Sequence, residues 1–374
     1  MRHGRTRSVD SDILVVGAGP AGLAAAIEAS EHGATVSIVD ENARPGGQLL
    51  KQTHRFFGSE RHQAGTRGID IGSRLVATAR DRNVDLILDT PVIGIFNGLV
   101  VAVNDNRHFL STRPRRIILA TGAAENAISF PGWSLPGVIT AGAAQTFVNV
   151  HRIRVGENIV VVGSGNVGLI VAYQLMQAGS NVVAIVEAMG QVGGWGVHAA
   201  KIRRMGIPIL TRHTITEAAG DTHVEQITVH EVDDRLNRLP GSEKALEADT
   251  VCLAVGMSPR SHLAEMADCA FTDVPELGGT IPIHNAIMQT SIRSIYCAGD
   301  VSGVEEASTA IEEGRLAGLG AAFSLDLVES DLYERRAAIC MKALDDLRSG
   351  PFGQQRKTGK DAVLREYDEY YKNR

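Results

Sequence analysis

"SDILVVGAGPAGLAAAIEASEHGATVSIVDEN", residues 11–42, begins with a β-branched run and turns on three glycines. An alanine-rich stretch follows, closed by Gly33, then a second apolar run that ends in acids. The order predicts strand, glycine turn, helix and strand, the opening of a dinucleotide-binding βαβ unit. Gly17 permits the tight turn, Gly19 lets the backbone approach a pyrophosphate, and Gly22 lets the helix press on the sheet. Pro20 and Ala21 complete the fingerprint at the helix N-terminus, whose free N–H groups attract phosphate. Asp40, with Glu41 beside it, stands about 20 residues on, where a carboxylate accepts from ribose hydroxyls.

The pattern recurs in "ENIVVVGSGNVGLIVAYQLMQAGSNVVAIVEA", residues 157–188. Gly163, Gly165, Asn166, Val167 and Gly168 form its turn and Glu187 its acid. A glutamate there bonds a 2′-hydroxyl and repels a 2′-phosphate, which favours NAD(H), or another adenine nucleotide, over NADP(H). A domain that uses a nucleotide only for structure, or binds none, is the alternative. "RRIILATGA" and "TVCLAVGMSPR" are matching strand-to-glycine exits, which adds Ala120, Thr121 and Gly122 to the first site and Gly256 to the second.

The expected fold is α/β, with two Rossmann-like nucleotide-binding domains, the second inserted into a discontinuous first. Residues 11–128 and 276–328 make the first and 129–275 the second. Residues 1–10 are read as a flexible basic tail and 329–374 as a helical C-terminal tail, either packed or free for docking. The Pro-rich "ISFPGWSLPGV" is the expected crossing from first to second domain.

Composition narrows the function. A net charge of −6 offers no broad cationic face for nucleic acid. No apolar run is long enough to span a membrane, and nothing apolar follows "MRHGRTR" to make a secretory signal. A cytoplasmic location is expected. Cys252, Cys269, Cys297 and Cys340 form no CxxC and fit no zinc or iron–sulfur spacing, so no metal site is expected. Cys252 and Cys297 lie in apolar runs and read as buried, inert thiols.

"YCAGDVSG" supplies Gly299 and Asp300. An acid at this late strand end can reach the polyol that joins a flavin to its pyrophosphate, which points to FAD in the first domain. The helix after it would aim its N-terminus at the flavin N1/C2 carbonyl region. A strand-end turn with a helix cap is the plainer alternative.

The order GxGxxG, "GGQL", "ATG", second GxGxxG, "CAGD" resembles the two-dinucleotide-binding flavoprotein superfamily that includes thioredoxin reductase, over roughly residues 10–325. The resemblance implies FAD in the first domain, a pyridine nucleotide in the second, and Gly46, Gly47 and Gln48 beside the flavin. The departure is Ala141-Gly142-Ala143-Ala144 where thioredoxin reductases carry their dithiol, so disulfide reduction is not expected.

"GGQLLKQTHRFFGSERHQAGTRGIDI" with "PGVITAGAAQ" further resembles the small or α subunits of heteromeric amine and amino-acid dehydrogenases, among them hydrogen cyanide synthase, opine oxidase and proline or sarcosine dehydrogenase subunits. That resemblance implies a flavoprotein β subunit of the D-amino-acid-oxidase type as partner and a small amine or amino acid as substrate. Longer members append a cysteine-rich cluster domain, and such cysteines are lacking here. The expected function is an FAD-binding subunit of an enzyme oxidising a C–N bond. A stand-alone NADH-dependent flavin reductase and a nucleotide-stabilised scaffold are the alternatives. Lys51, Gln52, Thr53, His54 and Arg55 either face the flavin or a partner, or form a solvated loop. No catalytic acid or base is identified.

Overall fold

The computed structural model describes residues 9–104, 108–372 and 374. Met1–Ser8, most of the expected basic tail, lie outside the described residues. The chain divides into two compact units. The first comprises Met1–Leu50, Arg55–Ala124 and Ser258–Arg374, and the second Lys51–His54 and Glu125–Met257.

The first unit is built on a five-stranded parallel sheet in the order Ile295–Cys297, Arg116–Leu119, Ile13–Val16, Val36–Val39, Asp85–Ile87. Its strands are short, apolar runs, as expected for a sheet covered on both faces. The helices Pro20–Glu31 and Ala307–Phe323 lie on one, and the antiparallel strands Val92–Phe96, Leu99–Asn104 and His108–Thr112 cover the other through Ile95, Val100, Ala102 and Leu110. Val16 is in register with both Val39 and Leu119, and Leu119 with Cys297. The carboxyl ends of four strands therefore open onto one edge, where doubly wound sheets bind ligands.

Two helices share one face through small residues. Gly314 and Gly318 of the helix Ala307–Phe323 lie so close to Ala21 and Ala25 of Pro20–Glu31 that a Cβ at either glycine would overlap those residues' carbonyl oxygens. The alanine-rich sequence of the first helix thus serves close helix packing as well as the sheet contact.

The second unit repeats the plan, with five parallel strands in the order Ile209–Thr211, Asn181–Glu187, Asn158–Val162, Thr250–Leu253, Val138–Thr140. An antiparallel meander of His213–Ala219, Gln226–Glu231 and Lys244–Glu247 covers it through Ile215, Ile227 and Val229.

The domain boundaries differ from the sequence reading: Lys51–His54 and residues 125–128 fold with the second unit. Residues 258–275 fold with the first unit, because Ala264 and Cys269 join the apolar cluster of Ile95, Val100 and Leu119. "ISFPGWSLPGV" is not a crossing but part of the second unit: Phe130 is buried there, and Ala218 N–H donates to the Pro131 carbonyl at 2.9 Å. The C-terminal tail, expected to be helical and either packed or free for docking, forms the helices Ser330–Leu347 and Gly350–Lys372 and packs within the first unit, with Val363 buried among Val274, Leu277 and Ile281. The second of these helices starts about ten residues before the "DAVLREYDEYYKNR" stretch from which it was expected.

Candidate functional site

In the first unit the glycine turn is held from three sides. A Cβ on Gly17 would overlap the Ala120 carbonyl oxygen, and one on Gly22 the Gly17 carbonyl oxygen, so both positions are closed to larger residues. Asp40 Oδ2 accepts the Ala18 N–H at 2.6 Å, while Oδ1 accepts from the backbone and side-chain nitrogens of Asn42 at 2.7 and 2.8 Å. The acid therefore clamps the turn as well as standing where a ribose would lie. Gly46 N–H donates to the Ala18 carbonyl at 2.8 Å, and a Cβ at Gly47 would stand 2.7 Å from Gly19 Cα. The Gly-Gly pair thus closes over the turn by direct backbone approach, with Gln48 exposed at its end.

Gly19 is the exception that matters. Its φ of −76° and ψ of −175° suit any residue, and an added Cβ would find nothing nearer than Gly47 Cα at 4.0 Å. The fold does not require glycine there. Gly19 is the N-cap of its helix and has no side-chain cap; with Pro20 next, the Ala21 and Gly22 N–H groups of the first turn are left for an outside acceptor.

The ATG exit is anchored in the same unit. Thr121 Oγ1 donates to the Arg260 carbonyl at 2.7 Å, and Arg260 N–H to the Gly122 carbonyl at 2.9 Å. The Arg260 guanidinium also reaches Glu41 at 2.7 Å, so Glu41 is engaged in an exposed ion pair.

Gly299 and Asp300 begin a turn that runs to Gly303. A Cβ at Gly299 would lie 2.9 Å from that of Ala21, which sets this turn beside the glycine turn. Among the described residues, Asp300 Oδ1 accepts a long bond, 3.4 Å, from Glu305 N–H. Burial pushes its carboxyl up to about 6, with the nearby Glu313 and Glu305 adding to the rise. An enclosed carboxyl so poorly supplied with donors suits a ligand that brings hydroxyl groups, as the polyol chain of FAD does. The residues gathered here fit that group.

The second unit reproduces these contacts one by one. Cβ atoms on Gly163 and Gly168 would overlap the Ala254 and Gly163 carbonyl oxygens, whereas one on Gly165 would meet nothing within 4 Å. Glu187 Oε2 accepts from Ser164 N–H at 2.9 Å and Ser164 Oγ at 2.6 Å, the counterpart of the Asp40 clamp. Asn166 and Val167 open the helix Asn166–Gln177 as expected, and Asn126 N–H donates to the Gly256 carbonyl at 3.0 Å.

One element was missed. Gly194 N–H donates to the Ser164 carbonyl at 2.9 Å, Gly193 N–H to Ser164 Oγ at 3.0 Å, and Trp195 N–H to Asn166 Oδ1 at 2.8 Å. "GGW" at 193–195 is therefore the second unit's equivalent of "GGQ" at 46–48. The doubled glycine after each acid was the available signal.

Of the polar stretch after "GGQL", Lys51–His54 lie in the second unit and Arg55 in the first, and the stretch is not a free loop. Asn149 Nδ2 donates to the Lys51 carbonyl at 2.7 Å, and Gln174 Nε2 to Thr53 Oγ1 at 3.0 Å. Burial pushes His54 down to about 4, helped by His198 and Lys201, so it is neutral at pH 7. Phe56 packs against buried Leu49 and Ile71, whereas Phe57 is exposed.

A carboxylate caps the helix that carries Ala141–Ala144, the residues matched in sequence to the dithiol. Glu125 Oε1 accepts the Gly142 N–H and Oε2 the Thr140 hydroxyl, both at 2.6 Å, so it caps the short helix Ala141–Gln145. Lys51 Nζ lies 3.4 Å from the Gly142 carbonyl, its pKa pushed down by burial and held up in part by Glu125. All four cysteines are free and buried; burial pushes Cys252 and Cys340 up to about 12 and Cys297 higher still. Such thiols are not nucleophilic at neutral pH. Among the described residues, no three histidine, cysteine or acidic side chains gather as a metal site, and no helix is long and apolar enough to cross a membrane.

Comparison with known proteins supplies the family. The family model for pyridine nucleotide-disulphide oxidoreductases matches residues 11–314. An opine oxidase subunit of Agrobacterium tumefaciens is 28% identical over 85% of this chain and 67% of its own length. Hydrogen cyanide synthase subunit HcnB of Pseudomonas aeruginosa is 26% identical over 90% and 77%. The chain spans only about two thirds of the opine oxidase subunits, 63% for one from Rhizobium meliloti. The thioredoxin reductase of T. acidophilum superposes with a TM-score of 0.70 at 21% identity, over 86% of this chain and 99% of that one, which shows the shared fold. The chain belongs to the pyridine nucleotide-disulphide oxidoreductase family and is an FAD-dependent oxidoreductase of that family, related to subunits of multi-subunit oxidases.

Proposed function

We propose that the chain is the FAD-binding subunit of a heteromeric, cytoplasmic dehydrogenase or oxidase that acts on the C–N bond of an amine or amino acid of the proline, sarcosine, opine or glycine type. The carrying observation is the meeting of the Gly17–Gly22 turn, Asp40, the Gly46–Gly47 backbone and Asp300 at one edge of one parallel sheet. In this reading the Ala21 and Gly22 amides take the pyrophosphate, Asp40 the adenosine ribose, and Asp300 the polyol. FAD, when bound, supplies two-electron transfer. The Gly163–Gly168 turn with Glu187 takes NAD(H) or another adenine nucleotide. The names of the relatives, each one part of a larger enzyme, support a partner chain, and a D-amino-acid-oxidase-type flavoprotein would bring the amine site. With every cysteine buried and none paired, electrons leave by a route other than a redox disulfide.

The test is to isolate the chain gently from its native host, denature it, and identify the released nucleotides and any co-eluting polypeptide. FAD together with a second polypeptide, and amine oxidation only when both are present, is the expected result. Colourless protein that takes up no added FAD refutes the reading. The close match between the two glycine turns favours one second reading, an NADH-dependent flavin reductase. Anaerobic NADH that bleaches the flavin of the isolated chain would select it.

A further inference from the structure

The C-terminal helices carry charge into the interior of the first unit, just behind the turn that begins with Asp300. Lys360 is 3% exposed. Its ammonium donates to the Ser302 carbonyl at 2.9 Å and the Ser302 hydroxyl at 3.0 Å, and lies 2.6 Å from Glu313 Oε1. The other oxygen of Glu313 accepts the Gly299 N–H at 2.9 Å and lies 2.9 Å from the Ser302 hydroxyl. Arg348 forks onto Glu305 at 2.6–3.2 Å and also pairs with Glu313. Both ends of the 299–303 turn are thus tied to an ion cluster whose cations come from the two C-terminal helices. The helix Gly350–Lys372 is itself fixed at that point. Val363 is fully buried, and a Cβ on Gly359 would stand 2.9 Å from Leu277 Cγ.

The charges explain why both cations are needed. Asp300, Glu305 and Glu313 place three carboxylates around one turn, and Lys360 and Arg348 offset two of them. His284 faces the same cluster but burial and Lys360 push it down to about 4, so it adds no charge at neutral pH. Without Lys360 a second negative charge at the turn would go uncompensated. Removing one partner of a buried pair is strongly destabilising because the other is left desolvated and unpaired. Both cations lie beyond residue 314, outside the span that matches the family model.

We propose that Lys360 and Arg348 are positioning residues for the cofactor: the C-terminal helices neutralise Glu305 and Glu313 and so hold Gly299–Gly303, and Asp300 with it, in the cofactor-accepting conformation. The inference rests on the FAD reading above, and the experiment separates the two. Wild-type apoprotein is first titrated with FAD by flavin fluorescence. No uptake ends the functional reading, and this inference with it, before any variant is made. If wild type binds, Lys360→Met is expected to weaken FAD about tenfold or more, and Lys360→Arg to stay near wild type. The double variant Lys360→Met/Glu313→Gln should recover most of the affinity, because the orphaned carboxylate is gone. Thermal melts run beside the titrations separate this from general loss of stability, which removing the orphaned carboxylate would also relieve. Lys342→Met, an exposed site on the same arm, is the control and should change nothing. Wild-type affinity in Lys360→Met, or no recovery in the double variant, overturns the proposal. A measurement on unaltered protein guards against a variant that does not fold. FAD should slow amide hydrogen exchange at residues 356–364 as well as 299–303, by the reciprocity of linkage. Slowing confined to 299–303 overturns the proposal too.

Discussion

Gly19→Ala separates a ligand's requirement from the fold's. The new methyl group would find its nearest atom 4.0 Å away, at Gly47 Cα, and the backbone at −76°, −175° is ordinary for alanine. The cost to the apoprotein is that of replacing a glycine N-cap by alanine, under about 1 kcal/mol. The methyl would stand where a pyrophosphate must approach the helix N-terminus. Losing one charge-assisted hydrogen bond there costs about 1.5–3 kcal/mol, and about 1.4 kcal/mol is tenfold in affinity. Gly19→Ala should therefore weaken FAD about 10- to 100-fold while melting close to wild type. Gly22→Ala gives the contrast: its Cβ would overlap the Gly17 carbonyl oxygen, so it should fail to fold rather than fold without flavin. The assay is fluorescence titration of apoprotein beside thermal melts of both variants. Unchanged FAD affinity in Gly19→Ala, with the fold intact, would refute the placement of the pyrophosphate on this turn.

Three further outcomes are expected. Gly165→Ala, where a Cβ meets nothing within 4 Å, should leave the melt unchanged and weaken NAD(H) binding at the second turn; unchanged affinity for every adenine nucleotide would count against a ligand there. Asp300 holds its proton up to about pH 6 in the folded apoprotein but only to about 3.8 when unfolded. Folding therefore binds a proton between those values, and apoprotein stability should fall as pH rises through that window, by up to ~3 kcal/mol; Asp300→Asn should remove that part of the slope in denaturant titrations at pH 4, 5 and 6.5. A thiol reagent should label none of the four buried cysteines quickly in the native chain and all of them in denaturant, and rapid labelling of a native pair would revive a dithiol route.

Both nucleotide folds were legible in the chain because their signals are local. The β-branched runs, the three glycines and the closing acid lie within about 25 residues of one another, and spacing alone assigns each a place. The insertion of one domain into the other was legible for the same reason, as a second copy of that pattern set before a late strand. The absence of a dithiol could likewise be read directly at Ala141–Ala144.

Contacts across long sequence separations were not legible. Nothing near Lys360 in the sequence announces that it meets Glu313 and Ser302, and a charged, weakly apolar terminal stretch reads as solvated until Val363 and Gly359 are seen against Leu277. Residues 258–275 look like a continuation of the second domain, yet Ala264 and Cys269 find their apolar partners in the first. Glu125 at the helix that carries Ala141–Ala144, and Gly193–Gly194 over the second turn, acquire a role only once folding brings Gly142 and Ser164 to them. Local pattern chose the strands, turns and helices. Burial and the pairing of buried charge, which depend on where distant segments come to rest, chose the boundaries and the partners.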